Sequence, residues 1–204
     1  MSFLKENKTA AYAFIILGAI SLVLAVVALV GTLTAKSIIV SAVVACIGPI
    51  IMALLYFRFG YSIKNGNISK KIDILAYFVR LAGLSNIILA IFNLWANYEN
   101  DGGWAALGSL IISIIIGLII LAVSGRINDG KQDTLDKIIW IILVVLFAIS
   151  VIMGIFAIIG ILIGGLAIDI SLLSVIVLPI ISLIIDLFML VLLFDSDVKS
   201  EMNM

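Results

Sequence analysis

Six long apolar segments dominate this chain, and each is long enough to cross a lipid bilayer. A helix needs about 20 mostly apolar residues to span a hydrocarbon core of roughly 30 Å. The segments that meet this length are Ala10–Val30, Ser37–Phe57, Ile74–Leu94, Trp104–Val123, Ile138–Leu162 and Ile170–Phe194. They are continuously apolar, whereas the strands of a membrane β-barrel alternate apolar and polar residues. The sequence therefore predicts an all-α polytopic membrane protein with six transmembrane helices.

The composition fits a chain that lies almost entirely in the membrane. Of its 204 residues, 65% are hydrophobic and 12% are charged, against about 45–50% and roughly 25% in soluble proteins. The loops are too short to fold a soluble domain, so we expect residues 1–204 to form one membrane domain. Because the net charge is zero and no basic run is longer than Lys70–Lys71, we expect no nucleic-acid partner. The expected partners are the lipid bilayer, other membrane proteins and further copies of the chain itself.

The basic residues are distributed unevenly between the two sides of the membrane. Lys and Arg are enriched in the cytoplasmic loops of membrane proteins. Ten of the 12 basic residues fall in the two tails and in the second and fourth loops. The other loops hold only Lys36, and Arg80 falls within a helix, so we predict that both termini are cytoplasmic. The first segment has no cleavage site after it and is predicted to be a retained anchor. With the short loops, this favours a prokaryotic plasma membrane.

The odd-numbered segments have a similar pattern of small and polar residues. The matching sets are Ser21, Ala25 and Ala28; Asn86, Ala90 and Asn93; and Ser150, Gly154 and Ala157. A spacing of four and then three places each set on one helix face, where small residues allow close approach of neighbouring helices. The pattern predicts three tandem helical hairpins, with repeats at 1–65, 66–130 and 131–204. The alternative is chance similarity among apolar helices.

Two ionisable residues, Arg80 and Asp186, fall inside the predicted membrane segments. A charge at the centre of a membrane helix costs about 2.5–3.5 kcal/mol on insertion scales, so each residue indicates a function or a specific contact. Arg80 is roughly 10 Å from the cytoplasmic start of its helix, and Asp186 is roughly 13 Å from the cytoplasmic end of its own. These similar depths predict a buried ion pair. The alternatives are an Arg80 side chain that extends to the headgroups and an unpaired, protonated Asp186 that serves as a proton site.

A polar stripe continues from Arg80 along the third segment. Asn86, Asn93 and Asn97 share one face of this helix, and Ser182 shares a face of the sixth segment with Asp186. If these two faces meet, they form a narrow polar path or a small ligand site. The alternative is that the polar side chains only join helices, through hydrogen bonds worth about 0.6 kcal/mol each.

Residues that carry catalytic or metal-binding chemistry are scarce in this sequence. The chain has no histidine and one cysteine, and no catalytic or nucleotide-binding motif is found. We therefore expect no enzymatic activity, no metal and no cofactor. Three functions remain: an accessory or scaffold protein that packs with other membrane proteins or itself, a small-solute or proton-coupled transporter that uses Arg80 and Asp186, and a module that binds a lipid or apolar ligand. The scarcity of polar groups and the small-residue faces favour the first.

Overall fold

The computed structural model describes residues 7–35, 39–163 and 178–204, with the side chains of residues 100, 101 and 162 excepted. All regular secondary structure in these ranges is helical. The helices are α1 (Asn7–Thr34), α2 (Val40–Lys64), α3 (Lys71–Asp101), α4 (Gly103–Ile127), α5 (Thr134–Ile163), α6 (Leu178–Leu193) and α7 (Ser196–Glu201). Helices α1 to α5 are long and apolar enough to cross a membrane. This supports the expectation of a multi-pass, all-α integral membrane protein.

The sixth predicted span is described only in part. Its predicted start at Ile170 lies outside the described residues, as do Lys36 and the predicted start of the second span at Ser37. The described helix α6 has 16 residues, which corresponds to about 24 Å, and is therefore shorter than a hydrocarbon core of roughly 30 Å. The number of spans and the sides on which the termini lie stay predictions.

The helices extend beyond the apolar segments that predicted them. Arg58, which the sequence assigned to a loop, lies inside α2, and α3 already begins at Lys71. A longer helix satisfies more backbone hydrogen bonds internally, which matters where little water is available. The connections between the long helices that the structure describes in full, residues 65–70, 102 and 128–133, are correspondingly short. Between α3 and α4 the turn consists of Gly102, whose φ of 84° is readily adopted by glycine.

Helices that follow each other in the chain pack together. α1 packs against α2, α3 against α4, and α5 against α6, while α2 also contacts α3 and α1 contacts α6. By contrast, α4 and α5 touch only slightly. The bundle therefore has a loosely packed side between α4 and α5. Whether the helix pairs arose as tandem repeats stays a prediction.

Glycines allow close contact of backbones within these pairs. A Cβ on Gly18 of α1 would lie 2.5 Å from the Phe57 nitrogen, and a Cβ on Gly60 of α2 would lie 2.6 Å from the Ala11 oxygen. Gly83 approaches the backbone of α4 in the same way. Since packing rather than the hydrophobic effect drives helix association in lipid, such approaches hold the pairs together. These three glycines were not among the small residues that the sequence analysis selected for helix packing.

An aromatic cluster joins four helices near one end of the bundle. The Phe14 ring lies 4.7 Å from that of Phe59 and 5.6 Å from that of Phe78, between ring centroids. Phe78 in turn lies 5.7 Å from Phe147 of α5. Phe14, Phe59 and Phe147 are buried. The cluster therefore fixes α1, α2, α3 and α5 relative to one another.

Polar contacts join the helix ends just beyond this cluster. We call this region the charged end: α2, α4 and α6 finish here and α3, α5 and α7 begin here. Lys71 Nζ lies 2.5 Å from Asp195 Oδ2 and links α3 to the segment before α7. The Trp140 indole N–H donates to the Leu193 carbonyl at 2.8 Å and links α5 to α6. Polar contacts between helices also occur away from this end, where Ser41 of α2 donates a hydrogen bond to Glu99 of α3.

Candidate functional site

Asp186 is hydrogen-bonded to α5. The Ser150 hydroxyl donates to Asp186 Oδ2 at 2.5 Å. Ser150 lies about 24 Å along α5 from Thr134, near the middle of the helix. Sequence reasoning selected Ser150 for its small size in a packing face and missed its role as the partner of Asp186. Ser150 lies at a depth similar to that of Asp186, and this match would have allowed the pairing to be predicted from the sequence.

Arg80 lies in a different part of the bundle. Its guanidinium carbon lies 5.1 Å from the centroid of the Tyr77 ring. Arg80 and Arg58 together line a cavity between α2 and α3. The described residues Arg80 and Asp186 form no salt bridge, so the structure does not bring these two charges together. Matching depths are necessary for an ion pair, but the two side chains must also face each other. Arg80 faces α2, whereas Asp186 on α6 faces α5.

A cavity of about 480 Å³ lies between α3, α4 and α5, and we call it the apolar cleft. Ser150 and Asp186 are the polar side chains in its wall, and its other described lining residues are apolar. These are Phe78, Val79, Ala82, Ile119, Ile120, Val123, Ile139, Ile142, Leu143, Leu146 and Phe147. Such a surface can hold an apolar chain, with one hydrogen-bonding group placed against the carboxyl and hydroxyl.

The apolar cleft has a buried floor and an exposed rim. Val79, Leu143 and Phe147 are less than 10% exposed, whereas Ile119 and Leu146 are more than half exposed. The rim residues belong to α4 and α5, the two helices that touch only slightly. The cleft therefore opens sideways between two membrane-length helices rather than toward an end of the bundle.

A second cavity, of about 280 Å³, lies between α3 and α4 and is polar. Asn86, Asn93 and Asn97 line it, as the predicted stripe on one face of α3 requires, and Ser109 and Ser113 of α4 lie opposite. We call it the polar cleft. The Asn86 side-chain amide donates to the carbonyl of Ala82 in its own helix at 3.0 Å.

In the polar cleft the α3 stripe lies opposite α4, and not opposite the Ser182 face of the sixth segment. Ser182 of α6 is exposed and does not line the polar cleft. The serines at 109 and 113 are four residues apart, a spacing that shares one helix face and that sequence reasoning overlooked. Ala90, expected in a packing face, lines the same cleft.

The predicted helix-packing residues mostly face other helices of the same chain. Ser21, Ala25 and Ala28 of α1 line a cavity of about 360 Å³ whose other walls are α2 and α6. A Cβ on Gly154 of α5 would lie 3.2 Å from the side chain of Leu183 on α6. Ala157, at the end of the third set, is exposed. The small-residue faces therefore serve internal packing first.

A network around Arg126 connects α4 to the start of α5. The guanidinium lies 2.9 Å from Asp129 and 3.7 Å from the buried carboxylate of Asp136, and it also contacts Asp133. The hydrogen bond from Arg126, with further ones from backbone N–H groups of α5, holds the pKa of Asp133 below its usual range. These ion pairs join the end of α4 to the start of α5, which is typical of a structural network, although the buried Arg126 Nε and Asp136 Oδ1 lie 3.7 Å apart and neither has a hydrogen-bond partner among the described residues.

Comparison with protein-family models, curated proteins and solved structures found no match for this chain. The function must therefore be inferred from the cavities themselves. The apolar cleft combines a large volume, a lateral opening and one polar pair inside it. Among the described residues this combination is the most distinctive feature of the bundle, and it makes the apolar cleft the leading candidate site.

Proposed function

We propose that the protein is a non-catalytic membrane module that binds a lipid or another apolar ligand in the apolar cleft. The observation that carries this proposal is the cavity of about 480 Å³ between α3, α4 and α5, with Ser150 and Asp186 in its wall. Small-molecule sites are mostly apolar cavities of about 300–1,000 Å³ with a few polar groups that fix orientation. The apolar cleft has this size and this composition.

The lateral opening supports a ligand that comes from the bilayer. The rim side chains Ile119, Ile142 and Leu146 are exposed and belong to helices that are long and apolar enough to span the membrane. An acyl chain or a similar hydrocarbon would enter from the lipid phase without crossing water. A hydroxyl or amine on the ligand would find its hydrogen-bond partner at Asp186, whose Oδ2 already accepts from Ser150.

The test is the lipid that stays with the protein after purification in a mild detergent. Ala82→Phe places an aromatic ring inside the cleft, and Ala157→Phe makes the same change at an exposed site on α5. We expect wild type and Ala157→Phe to carry the same bound lipid in native mass spectra and Ala82→Phe to have lost it. A fully delipidated wild type that remains stable, or equal lipid in both variants, would count against the proposal.

Transport of a small polar solute is a second candidate, supported by the polar cleft. Its wall presents three asparagine amides and three serine hydroxyls at membrane depth, where polar groups are costly and often have a function. The test is the swelling rate of proteoliposomes in glycerol or urea. We expect faster swelling than in protein-free vesicles and its loss in Asn93→Leu, and equal rates in all three samples would contradict this function. Coupling to protons through Asp186 would further require that Asp186→Asn abolish a pH dependence.

The accessory or scaffold role favoured by the sequence stays a prediction with less support. Small-residue faces that would bind a partner were part of its support, together with the scarcity of polar groups and the short loops. Ser21, Ala25 and Gly154 instead adjoin helices of their own chain. Crosslinking in native membranes tests it directly. A specific adduct with another membrane protein, or a homodimer, would restore it to first place.

We also propose six spans in three hairpins, with the charged end in the cytoplasm. The concentration of basic residues at that end supports this orientation. In a Cys46→Ser background, Lys131→Cys lies at the charged end and Ala35→Cys lies at the other end. We expect an impermeant maleimide to label Ala35→Cys in intact cells and Lys131→Cys only in inverted vesicles. The reverse result would invert the topology.

A further inference from the structure

Two arginines from neighbouring helices line one cavity near the charged end. Arg58 of α2 and Arg80 of α3 share a cavity of about 310 Å³, whose polar lining also includes Ser62, Asn67 and Tyr77. None of the described residues that line it is acidic. Within residues 7–35, 39–163 and 178–204, neither arginine forms a salt bridge. The cavity therefore presents two permanent positive charges that have no counterion among the described residues.

Six of the described carboxylates at the charged end are engaged elsewhere. Those of Asp195 and Asp197 lie within salt-bridge distance of Lys71, and those around Arg126 pair with that residue. Asp73 accepts a hydrogen bond from Asn128 at 3.3 Å. The acidic side chains thus serve contacts among α3, α4, α5 and α7. The face between α2 and α3 keeps its positive charge.

Both guanidinium groups are placed within reach of the lipid headgroups. Arg58 lies about 9 Å from the end of α2 at Lys64, and Arg80 lies about 14 Å from the start of α3 at Lys71. Long basic side chains at these depths extend toward the interface. The Arg80 guanidinium lies over the Tyr77 ring, and that ring stacks on Phe59 at 5.9 Å between centroids. The Arg80 guanidinium therefore packs on an aromatic surface that lies about one helical turn nearer the charged end.

The same cavity becomes apolar farther into the membrane. Leu55 and Leu84 also line it, and each lies about one helical turn deeper than the arginine of its own helix. The cavity thus presents cationic groups near the headgroup level and a hydrocarbon surface beneath them. This arrangement, with cationic groups near the headgroups and apolar groups deeper in the membrane, matches a phospholipid, which has an anionic phosphate above its acyl chains.

We propose that Arg58 and Arg80 bind the phosphate of an anionic phospholipid in this cavity between α2 and α3. Guanidinium groups bind phosphate oxygens through paired, charge-assisted hydrogen bonds, and basic pockets between transmembrane helices are typical sites for anionic headgroups. The side chains of Ser62, Asn67 and Tyr77 supply further hydrogen-bond donors. The site faces α2, on a different side of α3 from the apolar cleft, so it does not depend on the ligand proposed there.

The experiment is a titration of the full-length protein in detergent with phosphatidylglycerol, followed by native mass spectrometry. The variants are Arg58→Gln, Arg80→Gln and the double variant, with phosphatidylcholine as the uncharged lipid. Lys64→Gln is the matched control, because it removes the same charge from the same end of α2 at a residue that does not line the cavity. Circular dichroism and melting curves establish that each variant is folded, and the exposed Arg58 provides a single variant least able to disturb the fold.

We expect phosphatidylglycerol affinity to fall about fivefold in each single variant and about 25-fold in the double variant, since one basic residue near an anionic surface contributes about 1 kcal/mol. Lys64→Gln and all affinities for phosphatidylcholine should stay within about twofold of wild type, a margin well below the effect of one basic residue. Competition by inorganic phosphate would show that the site accepts free phosphate as well as a headgroup. Unchanged binding in the double variant, or an equal loss in Lys64→Gln, would overturn the proposal.

Discussion

Substitution of Gly18 by alanine tests how closely α1 and α2 are packed. A Cβ at Gly18 would lie 2.5 Å from the backbone nitrogen of Phe57 and 2.8 Å from the carbonyl oxygen of Ala53. The first distance is about 1 Å short of the roughly 3.5 Å at which nonbonded heavy atoms pack. Both neighbours are backbone atoms of α2, so no side chain can rotate away. The two helices must separate along their contact.

The cost follows from comparison with a glycine that has space around it. Gly31 also lies in α1, and a Cβ there would meet nothing within 4 Å. Alanine gains about 1 kcal/mol of helix propensity over glycine at either position, so this gain cancels in the comparison. Overpacking a close contact costs about 1–3 kcal/mol. We therefore expect Gly18→Ala to be less stable than Gly31→Ala by about 1–3 kcal/mol, near the upper limit because backbone meets backbone.

The assay is reversible unfolding of each variant by increasing sodium dodecyl sulfate in mixed micelles, followed by tryptophan fluorescence and circular dichroism. Gly31→Ala should unfold at the wild-type denaturant fraction or above it, and Gly18→Ala clearly below it. Gly60→Ala should behave like Gly18→Ala, since its Cβ would lie 2.6 Å from a backbone oxygen of α1. Coincident unfolding curves for Gly18→Ala and Gly31→Ala would refute the close contact.

Three further predictions concern the charged end. Trp140→Phe should lower the unfolding free energy by about 1–3 kcal/mol, because the α6 carbonyl that accepts its indole N–H loses that hydrogen bond. Trp104→Phe, at a residue that is 89% exposed, should leave the unfolding free energy unchanged, and equal losses in the two variants would contradict this prediction. Arg126→Gln should lower the melting temperature because it leaves the buried Asp136 without its cation. Arg126→Lys, which keeps the positive charge, should lower it less. Equal losses in the two variants would mean that the geometry of the guanidinium, and not its charge, stabilises this end. The pKa of Asp133 is lowered in the folded protein. The stability that this carboxylate contributes is therefore complete above its unfolded pKa of about 3.9 and is lost as pH falls through its folded pKa. If Asp133→Asn shows the same dependence of melting temperature on pH as wild type below pH 4, this contribution is excluded.

The sequence predicted the properties that depend on length and hydropathy. A bilayer imposes a minimum helix length, and the apolar segments beginning at Ala10, Ile74 and Trp104 each correspond to one long helix. The same reasoning misplaced the helix ends. Charged residues such as Arg58 and Lys71 stop a hydropathy window but do not stop a helix, because their side chains can be satisfied at the membrane surface while the backbone continues its hydrogen bonding.

The contacts of the polar residues were harder to predict, because they depend on the direction in which each helix faces. Arg80 and Asp186 have similar depths, and depth was the only coordinate that the sequence supplied. Spacing along a helix fixes relative direction, so the sequence could place Asn86 and Asn93 on one face of α3, and both line the polar cleft. Which helix lies opposite is decided by the packing of the whole bundle, and here it is α4 with Ser109.

Helix α3 contributes to the apolar cleft, the polar cleft and the cationic cavity, and it presents a different chemical surface to each. Its asparagine face lines the polar cleft, Ala82 and its neighbours line the apolar cleft, and Arg80 lines the cationic cavity. Asn93→Leu, Ala82→Phe and Arg80→Gln therefore separate the three proposed activities within one helix. Because each side chain lines only its own cavity, solute flux, retained lipid and phosphatidylglycerol affinity should each respond to one variant. A variant that altered all three would instead mean that α3 itself had moved, and its effect would belong to the fold rather than to a site.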